Sequence, residues 1–245
     1  MYYLLLLSGF LFSLDVLPGQ VELPETLPNQ AIISHEGYYL SYNELYEQAN
    51  WVAYELTTSE LSGEAVRSND FRSDPMISTE SASIYDYRNS GFDRGHLAPA
   101  ADMKWSTKAM SESFYMSNIS PQNPGFNRGI WRILESRVRN WAIANESVYV
   151  VVGGVLKKGL ETIGDNEVAV PRYFFKVILD FKPPDLKGIG FVMPNMTSQE
   201  SIEHYAVTID SVEVLTGLDF FHSVPDSLEE SIESTINLIL WDFNE

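Results

Sequence analysis

Residues 92–99 read FDRGHLAP, and this stretch places three ionisable side chains within four positions of one another. Gly95 gives the backbone freedom between the Asp93-Arg94 pair and His96. An imidazole can take a proton from water near neutral pH, and a guanidinium can bind a phosphate oxygen through two donors. Asp93 can orient or polarise either neighbour. The stretch therefore predicts a site that cleaves phosphodiesters, with His96 as the general base.

The composition is that of a globular protein and limits the chemistry of the site. The chain has 245 residues, of which 44% are hydrophobic, enough for the core of one large domain or two small ones. It has no cysteine, which excludes disulfides, thiolate zinc sites and a cysteine nucleophile. Any metal must be held by oxygen or imidazole, and this favours a hard ion such as Mg²⁺ or a close substitute such as Mn²⁺.

The formal net charge of −18 is unusual for a protein that binds nucleic acid. The distribution of charge reduces the conflict, because residues 91–140 hold seven Lys or Arg against four Asp or Glu. No lysine or arginine follows Lys187, whereas residues 195–245 hold eleven acidic ones. This pattern predicts a locally positive cleft on an acidic body. An acidic surface typical of a secreted or salt-adapted protein is the alternative for the tail.

The N-terminal residues are apolar enough for a targeting segment. Residues 1–25 are interpreted as a signal peptide or an N-terminal anchor, although no Lys or Arg precedes the apolar run. We therefore expect a secreted or periplasmic protein, with an N-terminal anchor as the alternative and no stable membrane partner. One α+β domain is predicted from residue 30 to residue 240.

Hydrophobic periodicity predicts the elements of this domain. Residues 44–56 carry apolar side chains at helical spacing, among them Leu45 and Leu56, and predict a packing helix. Residues 126–144 are the clearest amphipathic helix in the chain. The remaining predictions are a strand pair in 31–43, loop with short strands in 57–90, strands in 147–156, 173–181 and 188–195, a helix-like segment in 201–214 and a C-terminal helix in 226–240.

Three polar residues on the 126–144 helix extend the candidate site. Asn127 stands at the start of the helix, where its side chain can either cap the helix or bind a cation. Glu135 and Arg139 have i, i+4 spacing, which by default gives a modest surface ion pair. Beside a metal, the same glutamate could hold coordinated waters and the same arginine could neutralise charge on phosphorus.

Two amides and three further histidines complete the survey of polar candidates. Asn118 and Gln122 lie just before the helix, and from spacing alone they are compatible with ordinary hydrogen bonding in a loop. The histidines His35, His204 and His222 lack neighbours like those of the 92–99 stretch, and we interpret them as structural.

Six motifs in the same order give the chain a recognisable pattern. They are DRGHLAPAADM (93–103), FYMSNISPQ (114–122), FNRGIWRILE (126–135), VPRYFFKVIL (170–179), GFVMPN (190–195) and TGLDFF (216–221). Together they resemble the DNA/RNA non-specific endonuclease family, the ββα-metal nucleases that include endonuclease G-like enzymes. The resemblance covers roughly residues 60–225.

The resemblance implies a fold and a role for each candidate residue. The fold is α+β, with a ββα-metal finger, a central mostly antiparallel sheet and flanking helices. His96 would be the general base, Asn127 the direct protein ligand of Mg²⁺ (or Mn²⁺), and Glu135 a residue that orders the metal-bound waters. The other implied roles are phosphate or transition-state contacts for Arg94 and Arg139, substrate-orienting and site-supporting roles for Asn118 and Gln122, and a phosphate contact for Arg67, with Arg72 as the alternative.

The implied function is hydrolysis of DNA and RNA by a metal-dependent endonuclease that leaves 5′-phosphate products. A protein from a different class is the alternative: a catalytically inactive nuclease fold that binds nucleic acid or a protein partner. The resemblance is also compatible with a homodimer and with a protein inhibitor as partners.

Overall fold

The computed structural model describes residues 21–25 and 30–243, and its centre is a seven-stranded sheet. All six pairings within this sheet are antiparallel. In chain order its strands are β1 (Ile32–Ser34), β2 (Tyr39–Asn43), β3 (Gln48–Thr57), β6 (Ser147–Gly154), β9 (Tyr173–Asp180), β10 (Lys187–Pro194) and β11 (Ala206–Val207), and they are neighbours in that same order. Two separate strand pairs are β4 (Asp93–His96) with β5 (Ile119–Gln122), and β7 (Thr162–Ile163) with β8 (Val168–Ala169).

Helices cover the sheet on both faces. The α-helices are α1 (Thr107–Glu112), α2 (Pro124–Phe126), α3 (Arg132–Ala144), α4 (Ile209–Thr216) and α5 (Asp226–Glu233), and a π-helical segment, Asn127–Trp131, joins α2 to α3. Short 3₁₀ turns occupy Glu60–Ser62, Ala100–Asp102, Met116–Asn118, Ile202–Tyr205 and Leu238–Leu240. No helix within the described ranges combines the length and the hydropathy needed to cross a membrane.

Two hydrophobic cores lie on opposite sides of the sheet. The α3 core contains Leu134 and Trp141 together with Val150 of β6. The core on the other face contains Ile209 of α4 and Val151 of β6, so adjacent residues of one strand serve different cores. Because both faces are covered, these antiparallel strands are apolar along almost their whole length instead of alternating with polar residues. The α+β fold class and the mostly antiparallel sheet are confirmed.

The predicted helix in residues 44–56 is wrong, because this segment contributes the long strand β3. This strand pairs with β2 on one side and β6 on the other, and its side chains enter both cores. A strand buried on both faces has apolar residues at nearly every position, and such a run also satisfies helical spacing. Leu45, expected on the buried side of a helix, is 80% exposed.

Most of the other elements agree with their predictions. The strand pair in 31–43 is confirmed, as are the strands within 147–156, 173–181 and 188–195. The 126–144 helix is confirmed, but its first turns are π-helical. The segment 201–214 is divided among a 3₁₀ turn, β11 and α4, and the C-terminal helix is shorter than predicted. The predicted signal peptide or anchor in residues 1–25 lies, except for residues 21–25, outside the described part of the chain.

The strands β4 and β5 form a finger that stands apart from the large sheet and precedes the α2–α3 helical region. Its register pairs His96 with Ile119 and Gly95 with Ser120. The finger followed by the helix is the ββα unit of the fold. Within it, Gly95 faces the buried side chain of Gln122, and a β-carbon at position 95 would overlap the Gln122 carboxamide. Glycine is therefore required here by close packing.

Leucine truncation tests the strand assignment of β3. We expect Leu56→Ala, at a fully buried position, to lower the free energy of unfolding by about 2–5 kcal/mol in urea denaturation. The matched change Leu45→Ala should alter it by no more than about 0.5 kcal/mol, because that side chain is exposed. A helix in 44–56 would bury both residues, and equal losses would contradict the strand.

A second prediction concerns the packing of the finger. Gly95→Ala should destabilise the protein by about 1–3 kcal/mol through overpacking against Gln122. In a Gln122→Ala background the same substitution should cost at least about 1 kcal/mol less, because the overlapping atoms are gone. The measurement is a double-mutant cycle of unfolding free energies. Additive costs would show that the two residues do not compete for space.

Candidate active site

His96 is the last residue of the finger strand β4 and lies in an aromatic surrounding. Its ring centre is 4.7 Å from that of Phe114, edge to face, and 5.6 Å from that of Phe71. The side chain is buried, and Nε2 has no hydrogen-bond partner in the described part of the chain. Burial lowers the pKa of His96 to about 3, and the charges of Arg67 and Arg94 act in the same direction. The imidazole is therefore neutral near pH 7, with a ring nitrogen free to accept a proton.

Asn127 begins the π-helical segment and is held by the finger. Its side-chain Nδ2 donates to Oδ2 of Asp93 at 2.9 Å. The same carboxylate accepts from Nε of Arg128 at 2.7 Å. Because the amide nitrogen is engaged by Asp93, the carbonyl oxygen of Asn127 is left for another partner. The cap interpretation does not apply, since Asn123 caps the start of the helix through the backbone N–H groups of Gly125 and Phe126.

A cavity of about 500 Å³ brings the candidate residues together. His96 and Asn127 both line it, although they are 31 positions apart and come from the finger and the helix. Its wall carries five arginines and a single acidic residue, which agrees with the predicted positive cleft. The ionisable lining residues are Arg67, Arg94, His96, Arg128, Arg132, Glu135 and Arg139.

Glu135 is half-buried on α3, two turns after Asn127, and lines the cavity. Burial raises the pKa of Glu135 to about 7. The ammonium of Lys176 is the strongest opposing influence, and Asp102 adds to the upward shift. The carboxyl group therefore titrates near neutral pH, which is a perturbation typical of functional sites.

Lys176 is a buried ionisable residue that the sequence did not mark as a candidate. Burial lowers the pKa of Lys176, and the nearby carboxyl groups of Glu135 and Asp102 oppose this shift. The residue occupies the middle of β9, between Val152 and Phe191 of the neighbouring strands, and is fully buried. Its Nζ lies 4.7 Å from the ring centre of Trp131 and has no hydrogen-bond partner among the described residues. A lysine inside the apolar run YFFKVILD was the available signal, because an unpaired charge in a core strand is costly.

Arg139 is positioned by a second residue absent from the candidate list. Its Nη1 donates to Oδ1 of buried Asp102 at 2.9 Å, and its Nη2 donates to Oγ of Ser136 at 2.9 Å. Asp102 also accepts from the hydroxyl of Tyr54 on β3 at 3.0 Å. The Glu135–Arg139 surface ion pair, the default reading of their spacing, is therefore replaced by an ion pair to a buried aspartate.

The structure distinguishes the two arginines considered for phosphate. Arg67 is exposed, lines the cavity, and lies over the ring of Phe114 at 4.9 Å. Arg72 is bound instead to Asp70 at 2.8 Å and to the backbone and side-chain oxygens of Ser111. The cavity therefore has Arg67 in its lining, while the donors of Arg72 serve local structure.

Arg94 borders both this cavity and a neighbouring cleft of about 490 Å³. Its guanidinium lies 4.2 Å from the ring centre of Phe71 and is exposed. The neighbouring cleft shares Arg67, Asn127 and Arg128 with the cavity and adds Arg88. The basic surface thus continues beyond the residues around His96.

Asn118, just before β5, and Gln122, the last residue of β5, are buried and lie outside the lining of the cavity. Nδ2 of Asn118 donates to the carbonyls of Ala98 and Ser113, and its Oδ1 accepts from the backbone N–H of Ala98. Asn118 thus ties together the backbone next to His96, whereas both polar atoms of the Gln122 side chain are without a hydrogen-bond partner among the described residues. The histidines interpreted as structural also lie outside the lining of the cavity, and His35 binds Asp74 at 2.8 Å.

Comparison with known proteins shows the family of the chain. The DNA/RNA non-specific endonuclease family matches residues 21–227. Mitochondrial endonuclease G of Bos taurus is 39% identical over 206 residues, covering 78% of this chain and 69% of the relative. A nuclease of Nostoc sp. is 34% identical over 224 residues, covering 86% of this chain and 80% of the relative.

A solved structure shares the fold. The crystal structure of the EndoG/EndoGI complex, described as showing the mechanism of EndoG inhibition, has a chain that is 36% identical. It superposes with a TM-score of 0.74 and covers 80% of this chain and 88% of the matched one.

The relatives overturn the predicted location. A secreted or periplasmic protein was expected from the apolar N-terminal residues, but the endonuclease G relatives of Bos taurus and Homo sapiens and the nuclease of Saccharomyces cerevisiae are mitochondrial. An apolar N-terminal run does not by itself distinguish one targeting route from another. With its sequence, fold and cavity all in agreement, the chain belongs to the DNA/RNA non-specific endonuclease family.

Proposed function

We propose that this protein is a metal-dependent endonuclease that hydrolyses phosphodiester bonds in DNA and RNA and leaves 5′-phosphate products. The observation that carries the proposal is the meeting of His96 and Asn127 in one arginine-rich cavity. The imidazole supplies a proton acceptor, the amide oxygen supplies a hard ligand, and the arginines supply positive charge. These are the requirements for attack of water on an anionic diester.

The residues present fit a magnesium ion. Asp93 holds the amide nitrogen of Asn127, which leaves the carbonyl oxygen as a donor of the type that Mg²⁺ accepts. Glu135 lines the same cavity and can accept hydrogen bonds from waters of the ion. When bound, Mg²⁺ or Mn²⁺ would neutralise charge on the phosphate and acidify a coordinated water.

His96 would take the proton of the attacking water. Its burial keeps the imidazole neutral, and its buried Nε2 is free of protein partners among the described residues. The positive charges of Arg67 and Arg94 disfavour the imidazolium in the free protein. The negative charge of a bound phosphate would offset them. The ring can therefore gain basicity when substrate arrives.

The arginines would hold the diester and stabilise the charge that develops on it. Arg139 is oriented by Asp102 and Ser136, so its guanidinium is placed before substrate binds. Arg67 and Arg94 lie over aromatic rings, which orients them without neutralising their charge. These arginine side chains would then lose less conformational entropy when substrate binds.

The substrate class follows from the kind of contacts available. Arginines that bind phosphate carry no base information, so little sequence selectivity is expected. Attack by an outside water needs no 2′-hydroxyl, so both DNA and RNA fit. A protein inhibitor is a further candidate partner, because a similar structure is a complex described in terms of EndoG inhibition. A homodimer stays a prediction, as do the domain limits 30–240.

Plasmid nicking and RNA cleavage test this function. With Mg²⁺ present we expect cleavage of both substrates, and with excess chelator none. His96→Ala should lower kcat by at least about 100-fold without loss of the fold, because the general base is gone. Asn127→Ala should raise the Mg²⁺ concentration needed for half-maximal cleavage.

His222→Ala is the control, since it removes an exposed histidine outside the cavity lining and should leave kcat unchanged. Substrate binding without any cleavage by the unaltered protein would instead favour the inactive binding protein. Cleavage by His96→Ala at the unaltered rate would refute the assignment of the base.

The buried lysine generates a pH prediction. Since Lys176 lowers the pKa of Glu135, Lys176→Met should raise that pKa above about 7. A higher pKa leaves less carboxylate near neutral pH, so the rise of kcat/KM with pH should move to more alkaline values. Activity at pH 7 should fall and recover in part at pH 9.

Two variants separate charge from packing in this test. Lys176→Arg retains the positive charge and should keep the pH profile closer to that of the unaltered protein. Lys182→Met, at an exposed lysine, should leave the profile unchanged. Loss of activity by Lys176→Met at every pH, with an unshifted profile, would indicate a packing role alone.

A further inference from the structure

The helices α4 and α5 bring carboxyl groups together on the face of the sheet opposite the catalytic cavity. Asp210 and Glu213 lie on α4, and Glu233 is the last residue of α5. One oxygen of each side chain lies within 4.8 Å of an oxygen of both others. Three carboxylates this close repel one another unless a proton or a cation is shared.

Glu233 is the most deeply buried of the three acidic residues. Its side chain is only 5% exposed, and its buried Oε1 has no hydrogen-bond partner in the described part of the chain. Glu229, one turn earlier on α5, likewise has a buried Oε1 without a partner there. Oε1 of Glu213 accepts from the backbone N–H of Phe220 at 2.8 Å, and its other oxygen remains available. A buried carboxylate aimed into an acidic cluster without a donor is costly in the free protein.

The acidic cluster lies in a part of the chain that contains no lysine or arginine. No lysine or arginine follows Lys187, and both helices belong to that acidic part of the chain. Burial and the charges of the neighbouring acids raise the pKa of Glu233 to about 9 and that of Glu229 to about 7. Burial and the charge of Glu25 raise the pKa of Asp219, and the nearby His222 opposes this shift. The carboxyl groups must therefore take up protons or a cation to coexist.

We propose that Asp210, Glu213 and Glu233 form a second divalent-cation site, distinct from the catalytic one, that takes Ca²⁺. Calcium is bound by oxygen atoms at about 2.3–2.6 Å, so two ligands of one ion lie at most about 5 Å apart. The separations in this cluster satisfy that limit. Calcium also accepts irregular geometry and completes its shell with water, which suits three carboxylates from two helices.

The ion would fasten α5 to α4. The family match ends at residue 227, so most of α5 lies beyond the matched region. Its packing rests on few apolar residues, among them Ile232 and Leu228 in the core beneath α4. A cation that neutralises the repulsion between the two helices would add stability there without touching the cavity. This inference does not depend on the catalytic roles proposed above.

Calorimetric titration with CaCl₂ at pH 7.5 tests the site directly. The full-length Asn127→Ala protein is used, so that the catalytic metal position does not contribute. We expect one Ca²⁺ bound per chain, and none after the further change Glu233→Gln. Asp210→Asn, at an exposed ligand, should also abolish binding and serves if the Glu233 variant fails to fold. Calcium binding that persists in both variants, or none at millimolar Ca²⁺ in their absence, would overturn the proposal.

Thermal unfolding gives a second readout with a matched control. Calcium at 100 times its Kd should raise Tm by roughly 5 °C or more, because the ion binds only the folded state. Glu233→Gln should abolish this rise, because one of the three carboxylate ligands is gone. Glu230→Gln, an exposed acid on the same helix, should retain the rise. Equal responses of the two variants would show that general charge, not a site, is responsible.

Discussion

The contact of Asp93 with Asn127 and Arg128 fixes the geometry of the cavity. One carboxylate of the finger accepts hydrogen bonds from two successive residues at the start of the helix. Partial burial raises the pKa of Asp93, but the hydrogen bonds from Arg128 and Asn127 lower it below its ordinary value. The group is therefore ionised at neutral pH and binds through charge-assisted hydrogen bonds. Because His96 is three residues away on the same strand, this contact helps to determine where His96 and Asn127, the proposed base and metal ligand, stand relative to each other.

The arginines of the cavity serve two purposes with one arrangement. Their charges attract phosphate, and two of them, Arg67 and Arg94, help to keep the imidazole of His96 unprotonated before substrate binds. Lys176 has a similar effect from within the core, because its positive charge opposes protonation of Glu135. A buried lysine without a hydrogen-bond partner among the described residues reduces stability. Under the proposed function, its effect on Glu135 compensates for this loss.

The sequence predicted which residues meet at the cavity better than it predicted their surroundings. His96 of the 92–99 stretch and Asn127 at the start of the 126–144 helix both line the cavity, and their catalytic roles stay predictions. Asp102 was missed because an acid after an alanine pair gives no local sign of its tertiary partners. Lys176 was missed although a lysine in an apolar strand is a visible signal, because its neighbours Glu135 and Trp131 come from another part of the chain. The false helix in 44–56 has the same origin. Burial on both faces depends on α3, α4 and the neighbouring strands, and no local pattern contains that information.

The charge distribution explains how an acidic protein can engage a polyanion. A net charge of −18 repels nucleic acid over most of the surface, whereas the cavity wall carries five arginines against one acid. Repulsion from the body and attraction by the cleft together restrict a bound strand to one region and one orientation. The acidic helices α4 and α5 lie on the opposite face of the sheet and strengthen this contrast. Charges separated by more than about 10 Å are screened at 0.1 M salt, so the far face acts on an approaching strand mainly at low ionic strength. The arginines act at contact distance, where screening is weaker, although their contacts with phosphate also weaken as salt is added.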